Sequence, residues 1–456
     1  MIEYKPNMKM NRTLFLLIII LYLNCINYSQ TIELDINNTN SKSAILFSLN
    51  GEKQTFVDSI FTSIAGQFSF SNENLHTGFY RLSFDKHKSI TFLNDGKDIK
   101  INADAENISE SLQAINSESN KLYYEFVKLN RDYKTKSELL QLILSRYPNN
   151  DDYYELTKQK LNELQYDYLK FVNMTSQEEP ESFIARYIKS SQLPVISTDI
   201  KSEEQLGYLK KHSLDYVDFN DDELIYSDSF TNKSIEYLTY FRNPQLPLGM
   251  LEQEFQKAVD TLLTKASANI FVYQHVADYL VDGFKKFGFD NVVDYIIENY
   301  VVKDDLCLDE QTENSLQNRI NQSKLLTIGK IAPNIILPDE TGNEINLSEI
   351  KADKILLIFY ASWCPHCKDL LPEIHKLYKA KNSFEVVAVS LDEKRDDWLN
   401  FISENNLDWI NLSDLKGWES KASEDYYIYA TPTMFMLDSG LKIISKPTNL
   451  EELKIK

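Results

Sequence analysis

Apolar and polar positions follow three successive rhythms along this chain. From residue 31 to about residue 105 they alternate: Ile32, Leu34 and Ile36 interleave with polar neighbours, as do Phe68 and Phe70, then Tyr80, Leu82 and Phe84, then Ile99 and Ile101. A period of two turns one face of a strand to a core and the other to water. Polar or glycine-bearing breaks at Asn50-Gly51, Gly66, Thr77-Gly78 and Asn94-Asp95-Gly96 cut the stretch into short strands, the rhythm of an antiparallel β-sandwich or small barrel, of which the sandwich is the expected form. From about 117 to 322 the step becomes helical. Leu122, Phe126, Leu129 and Tyr133 are spaced by four, three and four, and Leu251, Phe255, Val259 and Leu262 repeat that stepping. Pro148, Pro180, Pro194, Pro244 and Pro247 divide this region into helices of ordinary length. No fixed repeat length recurs, so a regular solenoid is not expected. The many Tyr and Phe of this region, set at helical spacing, read as core rather than as a cofactor groove.

The third rhythm starts near Ile328. Residues 355–359 are continuously apolar, as a strand buried on both faces requires, and 384–391 repeat the pattern. Shorter runs follow at 409–412, 433–437 and 442–444, with helical stretches at 365–380, 395–405 and 418–427 between them. Strands alternating with helices predict βαβ units around a central sheet. The resulting division is a leader at 1–28, a β-sandwich at 29–107, an all-α region at 108–325 and an α/β domain at 326–456.

The leader is read from charge beside hydrophobicity. Lys5, Lys9 and Arg12 precede the apolar run 14–23, which breaks at Asn24-Cys25-Ile26-Asn27. Those ten residues fall short of the roughly 20 that span a bilayer, but they suit the core of a secretory signal. Met8 makes a more conventional start than Met1, and cleavage is expected between Cys25 and Gln30. A lipid anchor at Cys25 is the alternative, and the large polar Asn24 in front of it argues against it. Export sets the mature chain in an oxidising envelope or periplasm, where thiol pairs matter.

Composition narrows the partners. Lys and Arg number 48 against 68 Asp and Glu, a net charge of −20 that repels a phosphate backbone, so no nucleic acid is expected as a partner. Four cysteines in 456 residues are too few for a disulfide-stapled framework. Cys25 falls in the leader, and Cys307, in Asp305-Leu306-Cys307-Leu308, reads as a small buried hydrophobe.

Chemistry concentrates at Trp363-Cys364-Pro365-His366-Cys367, where the 355–359 strand gives way to a helix. Two intervening residues put both sulfurs on the first helical turn, within reach of a disulfide. Unpaired N–H groups and the helix dipole favour a thiolate at Cys364. Pro365 costs nothing there, since no backbone N–H is needed. A protonated His366 would depress the Cys364 pKa further; such thiols run from about 3.5 to 7.5 against about 8.5 for a free cysteine. Cys364 is therefore the expected nucleophile and Cys367 the resolving thiol. A zinc site would need two more ligands. Cys307 is solitary, and His375 is expected on the solvated face of the same helix, so no metal is expected.

These residues resemble a family. The stretch from Ile328 to about Asn449 is similar to the thioredoxin-like domains of TlpA/ResA-type thiol–disulfide oxidoreductases of bacterial envelopes. Gly329-Lys330-Ile331-Ala332-Pro333-Asn334 resembles their opening motif, with a hairpin turning at Thr341-Gly342-Asn343. Phe359-Tyr360-Ala361-Ser362-Trp363 resembles the approach to their cysteine pair, Pro372 the proline in their first helix, and Tyr429-Ala430-Thr431-Pro432-Thr433 their cis-proline loop. The resemblance implies a thioredoxin-like fold, substrate binding by Thr431 and Pro432, and modulation of the pair by Trp363, Pro365 and His366. It implies no cofactor beyond a redox-active Cys364–Cys367 disulfide, protein substrates bearing cysteines or disulfides, and a membrane or envelope thiol as electron donor. Two departures stand out: Pro365-His366 is the dipeptide of DsbA-type oxidants, and thioredoxin's buried acid falls near Ile358. The expected activity is thiol–disulfide exchange, as a reductase or isomerase rather than a primary oxidant. The rivals are an envelope scaffold with a vestigial redox domain and a thiol peroxidase, whose sites carry a Thr where this chain has Ala361.

Overall fold

The computed structural model describes residues 30–85, 88–304, 314–381 and 384–454. The leader, Cys25 and Cys307 lie outside the described residues. The chain divides into two compact units between Val276 and Ala277.

In the first unit, eight strands form two four-stranded sheets: β1 (Thr31–Asn37), β2 (Ser43–Asn50), β3 (Lys53–Phe61), β4 (Gln67–Ser71), β5 (Gly78–Asp85), β6 (Lys88–Asn94), β7 (Ile99–Asp104) and β8 (Gln113–Ala114). Their orders are β4-β1-β7-β8 and β3-β2-β5-β6. The alternating apolar positions of both sheets meet in one core: Ile32, Leu34, Phe68, Phe70, Ile99 and Ile101 from the first, Leu46, Tyr80, Leu82 and Phe92 from the second. The expected sandwich is present with one correction to its antiparallel pairing: β1 and β7 run parallel. Alternation fixes which face of a strand is buried and is silent on the direction of its neighbour.

Helices follow: α1 (Glu118–Arg146), α2 (Asp152–Glu178), α3 (Phe183–Ser191), α4 (Ser202–His212), α5 (Ser229–Thr239), α6 (Leu248–Ala266) and α7 (Ile270–Lys286). The first turn of α1 completes a sheet edge. Ser117 caps it by accepting from the Asn120 N–H. The buried Asn120 side chain then accepts from Leu93 N and donates to Leu93 O, both at 2.8 Å, in place of a further strand beside β6. An edge carbonyl and amide buried without such partners would each cost about 1–3 kcal/mol.

The second unit begins within α7 and holds its remainder, α8 (Asp290–Ile296), α9 (Asn314–Leu325) and the α/β domain. A short hairpin, β9 (Ile336–Pro338) with β10 (Glu344–Asn346), turns at the expected Thr341-Gly342-Asn343, where Gly342 takes φ +92°. The sheet comprises β11 (Lys354–Tyr360), β12 (Glu385–Ser390), β13 (Ile410–Leu412), β14 (Thr433–Asp438) and β15 (Ile443–Ser445), in the order β13-β12-β11-β14-β15. β11 and β12 pair in parallel, as do β12 and β13; β14 runs antiparallel to β11. Helices α10 (Pro365–Lys381), α11 (Arg395–Glu404), α12 (Lys421–Asp425) and α13 (Leu450–Lys454) complete the domain. Residues 355–360 are buried without interruption, which is why the central strand reads as an apolar run and not as an alternation. This is the thioredoxin-like α/β fold that the resemblance implies.

Candidate active site

The carboxyl ends of the parallel strands β11 and β12 lie side by side, with Tyr360 in register with Ser390. In open α/β sheets such ends carry the site. Here they bring together two short segments. Beyond β12, Asp392 is 1% exposed, and its carboxylate accepts from Ser362 Oγ and Ser390 Oγ, both at 2.6 Å, and from Ser362 N at 3.1 Å. A buried carboxylate is costly unless hydrogen-bonded. These three donors satisfy it, and in return it fixes the turn that precedes Trp363 and Cys364. Ala361 O then accepts from Cys364 N at 3.2 Å, and α10 begins at Pro365 as expected.

Both cysteines are thiols, at the first turn of α10. Cys364 is 5% exposed, and its Sγ donates to Thr431 O at 3.2 Å. The Thr431-Pro432 bond is cis, and that hydrogen bond sets the proline loop beside Cys364. Burial pushes the Cys364 thiol up, but hydrogen bonds to the sulfur from the Thr431 side chain, from Cys367 and from the His366 backbone N–H outweigh it and leave the thiol below its ordinary value. Cys367 is fully buried, and burial, reinforced by the neighbouring Cys364 sulfur, pushes it up to about 12. The pair is therefore chemically unequal.

His366 and Pro365 are exposed, and His366 reaches Cys364 through its main chain. Trp363 is 54% exposed; its ring centroid lies 6.4 Å from that of Trp418, 43% exposed. Trp418 sits on a turn that needs Gly417: φ is +58°, and a Cβ there would stand 3.0 Å from Glu393 Oε1. Ile358 is buried in the sheet and carries no proton. Pro372 lies inside α10, which continues past it.

His375, expected on a solvated face, is instead largely covered. Its Nε2 lies 2.8 Å from Asp408 Oδ1, and its ring packs on Trp409. Among the described residues no cluster of three or more His, Cys, Asp or Glu could hold a metal.

Sequence reasoning named Trp363, Cys364, Pro365, His366, Cys367, Thr431 and Pro432, and the fold gathers all seven at one end of the sheet. It missed Asp392 and Trp418. The signal for Asp392 was available, because Ser390-Leu391-Asp392 ends the strand paired with β11; Trp418 reaches the site through a turn that no periodicity marks.

Residues 328–446 match the AhpC/TSA family. The thiol-disulfide oxidoreductase ResA of Bacillus cereus is 30% identical over 123 residues, which span 26% of this chain and 69% of that protein. The protein of the same name from Bacillus subtilis is 29% identical over 122 residues, spanning 26% and 66%. Among solved structures, a thiol-disulfide oxidoreductase from Bacteroides fragilis shares 32% identity, with 27% of this chain and 95% of that one covered and a TM-score of 0.26.

Proposed function

This chain belongs to the ResA-type thiol-disulfide oxidoreductases through its thioredoxin-like domain, and from that premise we propose that Cys364 and Cys367 exchange a dithiol for a disulfide with protein substrates in the cell envelope. The observation that carries the proposal is the inequality of the two thiols: one hydrogen-bonded beside the proline loop and shifted down, the other buried and shifted up.

The steps follow from that inequality. The Cys364 thiolate attacks one sulfur of a substrate disulfide, forming a mixed disulfide and releasing the other sulfur as a thiolate. That thiolate takes up a proton. Cys367 then gives up its own proton and attacks Cys364 Sγ; the Cys364–Cys367 disulfide forms and the second substrate sulfur leaves as a thiol. The substrate has gained two electrons and two protons, and an envelope thiol donor restores the pair. Thr431, Pro432 and the exposed Trp363 and Trp418 would receive the substrate chain, while Pro365 and His366 tune the thiol through the helix start. The exported location rests on the basic and apolar leader, and the direction is reductase or isomerase.

A second reading, a thiol peroxidase, is brought forward by the AhpC/TSA match. Ala361, three residues before Cys364, offers no hydroxyl of the kind such sites carry.

The test is a trap. In envelope extracts, Cys367→Ser should accumulate mixed disulfides through Cys364, and Cys364→Ser should accumulate none. Trapping by Cys364→Ser alone would reverse the roles.

A further inference from the structure

Arg319, in α9 ahead of the thioredoxin-like domain, is 6% exposed. Its Nη2 donates to Asp290 Oδ1 at 2.9 Å, and its Nε lies 3.0 Å from Asp294 Oδ1; both carboxylates belong to α8. Its guanidinium carbon stands 4.5 Å from the centre of the Tyr429 ring, and the Tyr429 hydroxyl donates to the same Asp294 Oδ1 at 3.2 Å. One turn further along α9, Gln322 Nε2 donates to Tyr426 O at 3.0 Å and Tyr427 O at 3.3 Å. Two residues of one helix thus hold the segment that leads into the proline loop, one by its side chain and one by its main chain.

We propose that Arg319 is a positioning residue for the redox site: through Tyr429 it fixes Thr431 against the Cys364 sulfur, so that the site is completed by helices outside the thioredoxin-like domain.

The geometry supports this in three ways. Tyr429 is two residues from Thr431, whose carbonyl accepts from Cys364 Sγ, so a shift of the ring is passed on along two residues of main chain. The segment 426–432 between α12 and β14 belongs to no strand, so side chains such as these set its place. Burying an arginine is expensive unless its charge is paired, and Asp290 and Asp294, 68% and 34% exposed, pair this one from the solvent side while Tyr429 covers its face. The charges near Asp294, besides Arg319 and Asp290, are Glu298 and Lys446. Arg319 combines one hydrogen bond, a second ion pair and a stacked planar face, and lysine offers no such face.

The inference rests on Cys364 being the exchanging thiol, and the experiment separates the two claims. Full-length protein carrying Arg319→Gln, Arg319→Lys or Tyr429→Leu is compared with the parent, using a disulfide-linked model peptide as substrate. Amide hydrogen exchange is read at Ala430 and Thr431. Arg319→Gln is expected to raise KM for the peptide by about tenfold, with a smaller change in kcat, since a misplacement of about 1 Å at a reacting group can cost up to a hundredfold. It should also quicken exchange at both amides and, as the Thr431 side chain leaves the sulfur, move the midpoint of Cys364 alkylation toward that of a free thiol. Arg319→Lys should recover little of this, and Tyr429→Leu, which spares the buried cation, should reproduce it if Arg319→Gln fails to fold. Parental KM, alkylation midpoint and amide exchange in Tyr429→Leu would overturn the proposal. A parent that forms no reversible Cys364–Cys367 disulfide would overturn the functional reading instead, while the two amides still report whether Arg319 holds the loop.

Discussion

The two sheet systems of this molecule bury their strands in opposite ways. In the sandwich, β1 alternates buried and half-buried residues, and the outer face of its second sheet leaves Phe56 and Phe61 exposed. In the thioredoxin-like domain, β11 is buried at six successive positions. A strand covered on both faces must end somewhere open, and it is at that end, beside β12, that a nearly buried thiol, a buried carboxylate and a proline loop converge. The sandwich has a core without such a convergence. Burial pattern therefore separates the sheet that only packs from the sheet whose end carries the candidate redox site.

Substitutions can break this contrast, and the largest effect should fall on chemistry. Cys364→Ser should abolish exchange while leaving the melting transition in place. Phe92→Ala, in the sandwich core, should do the reverse, costing about 3–5 kcal/mol of stability while folded molecules exchange at the parental rate. Chemical denaturation and a peptide exchange assay on the same samples check both.

Asp392→Ala comes next. It removes the acceptor of Ser362 N, Ser362 Oγ and Ser390 Oγ, and each buried donor left unpaired costs about 1–3 kcal/mol. Exchange should slow as the turn before Cys364 loosens, and Asp392→Asn should be milder in both stability and rate. Equal losses from Asn and Ala would show that the charge, not the hydrogen bonding, holds the turn. Trp418→Ala should be smaller again: loss of one aromatic contact is worth about 0.5–1.5 kcal/mol, a rise of several-fold in KM without a change in melting. The smallest effect should come from Phe61→Ser, 83% exposed on the sandwich, with stability within about 0.5 kcal/mol of the parent and exchange unchanged.

Much of this contrast was legible in the residues, for physical reasons that also mark its limit. Periods of two and of three to four report which face of an element is buried, so Ile32-x-Leu34 and Leu122…Phe126 declared strand and helix. Cys364 and Cys367 sit within one helical turn, and their relation is local. The parallel pairing of β1 with β7 was hidden, because a strand's own pattern does not depend on its neighbour's direction. Asp392 lies 30 residues from Ser362 and Arg319 lies 110 from Tyr429, and contacts at such separations exist only once the chain has folded. His375 failed for a related reason: the Asp408 that covers it arrives from another part of the domain.

The central claim is that the fold makes the two thiols unequal. A thiolate is the reactive form, so a lowered pKa brings reactivity in at lower pH and a raised one delays it. Site-resolved mass spectrometry of alkylation against pH, on the reduced full-length protein, measures both thiols at once. The account predicts that Cys364 reacts first, with a midpoint below the ~8.5 of a free cysteine, while Cys367 stays protected until the pH approaches about 12. Alkylation of both thiols with a shared midpoint, or of Cys367 before Cys364, would contradict it.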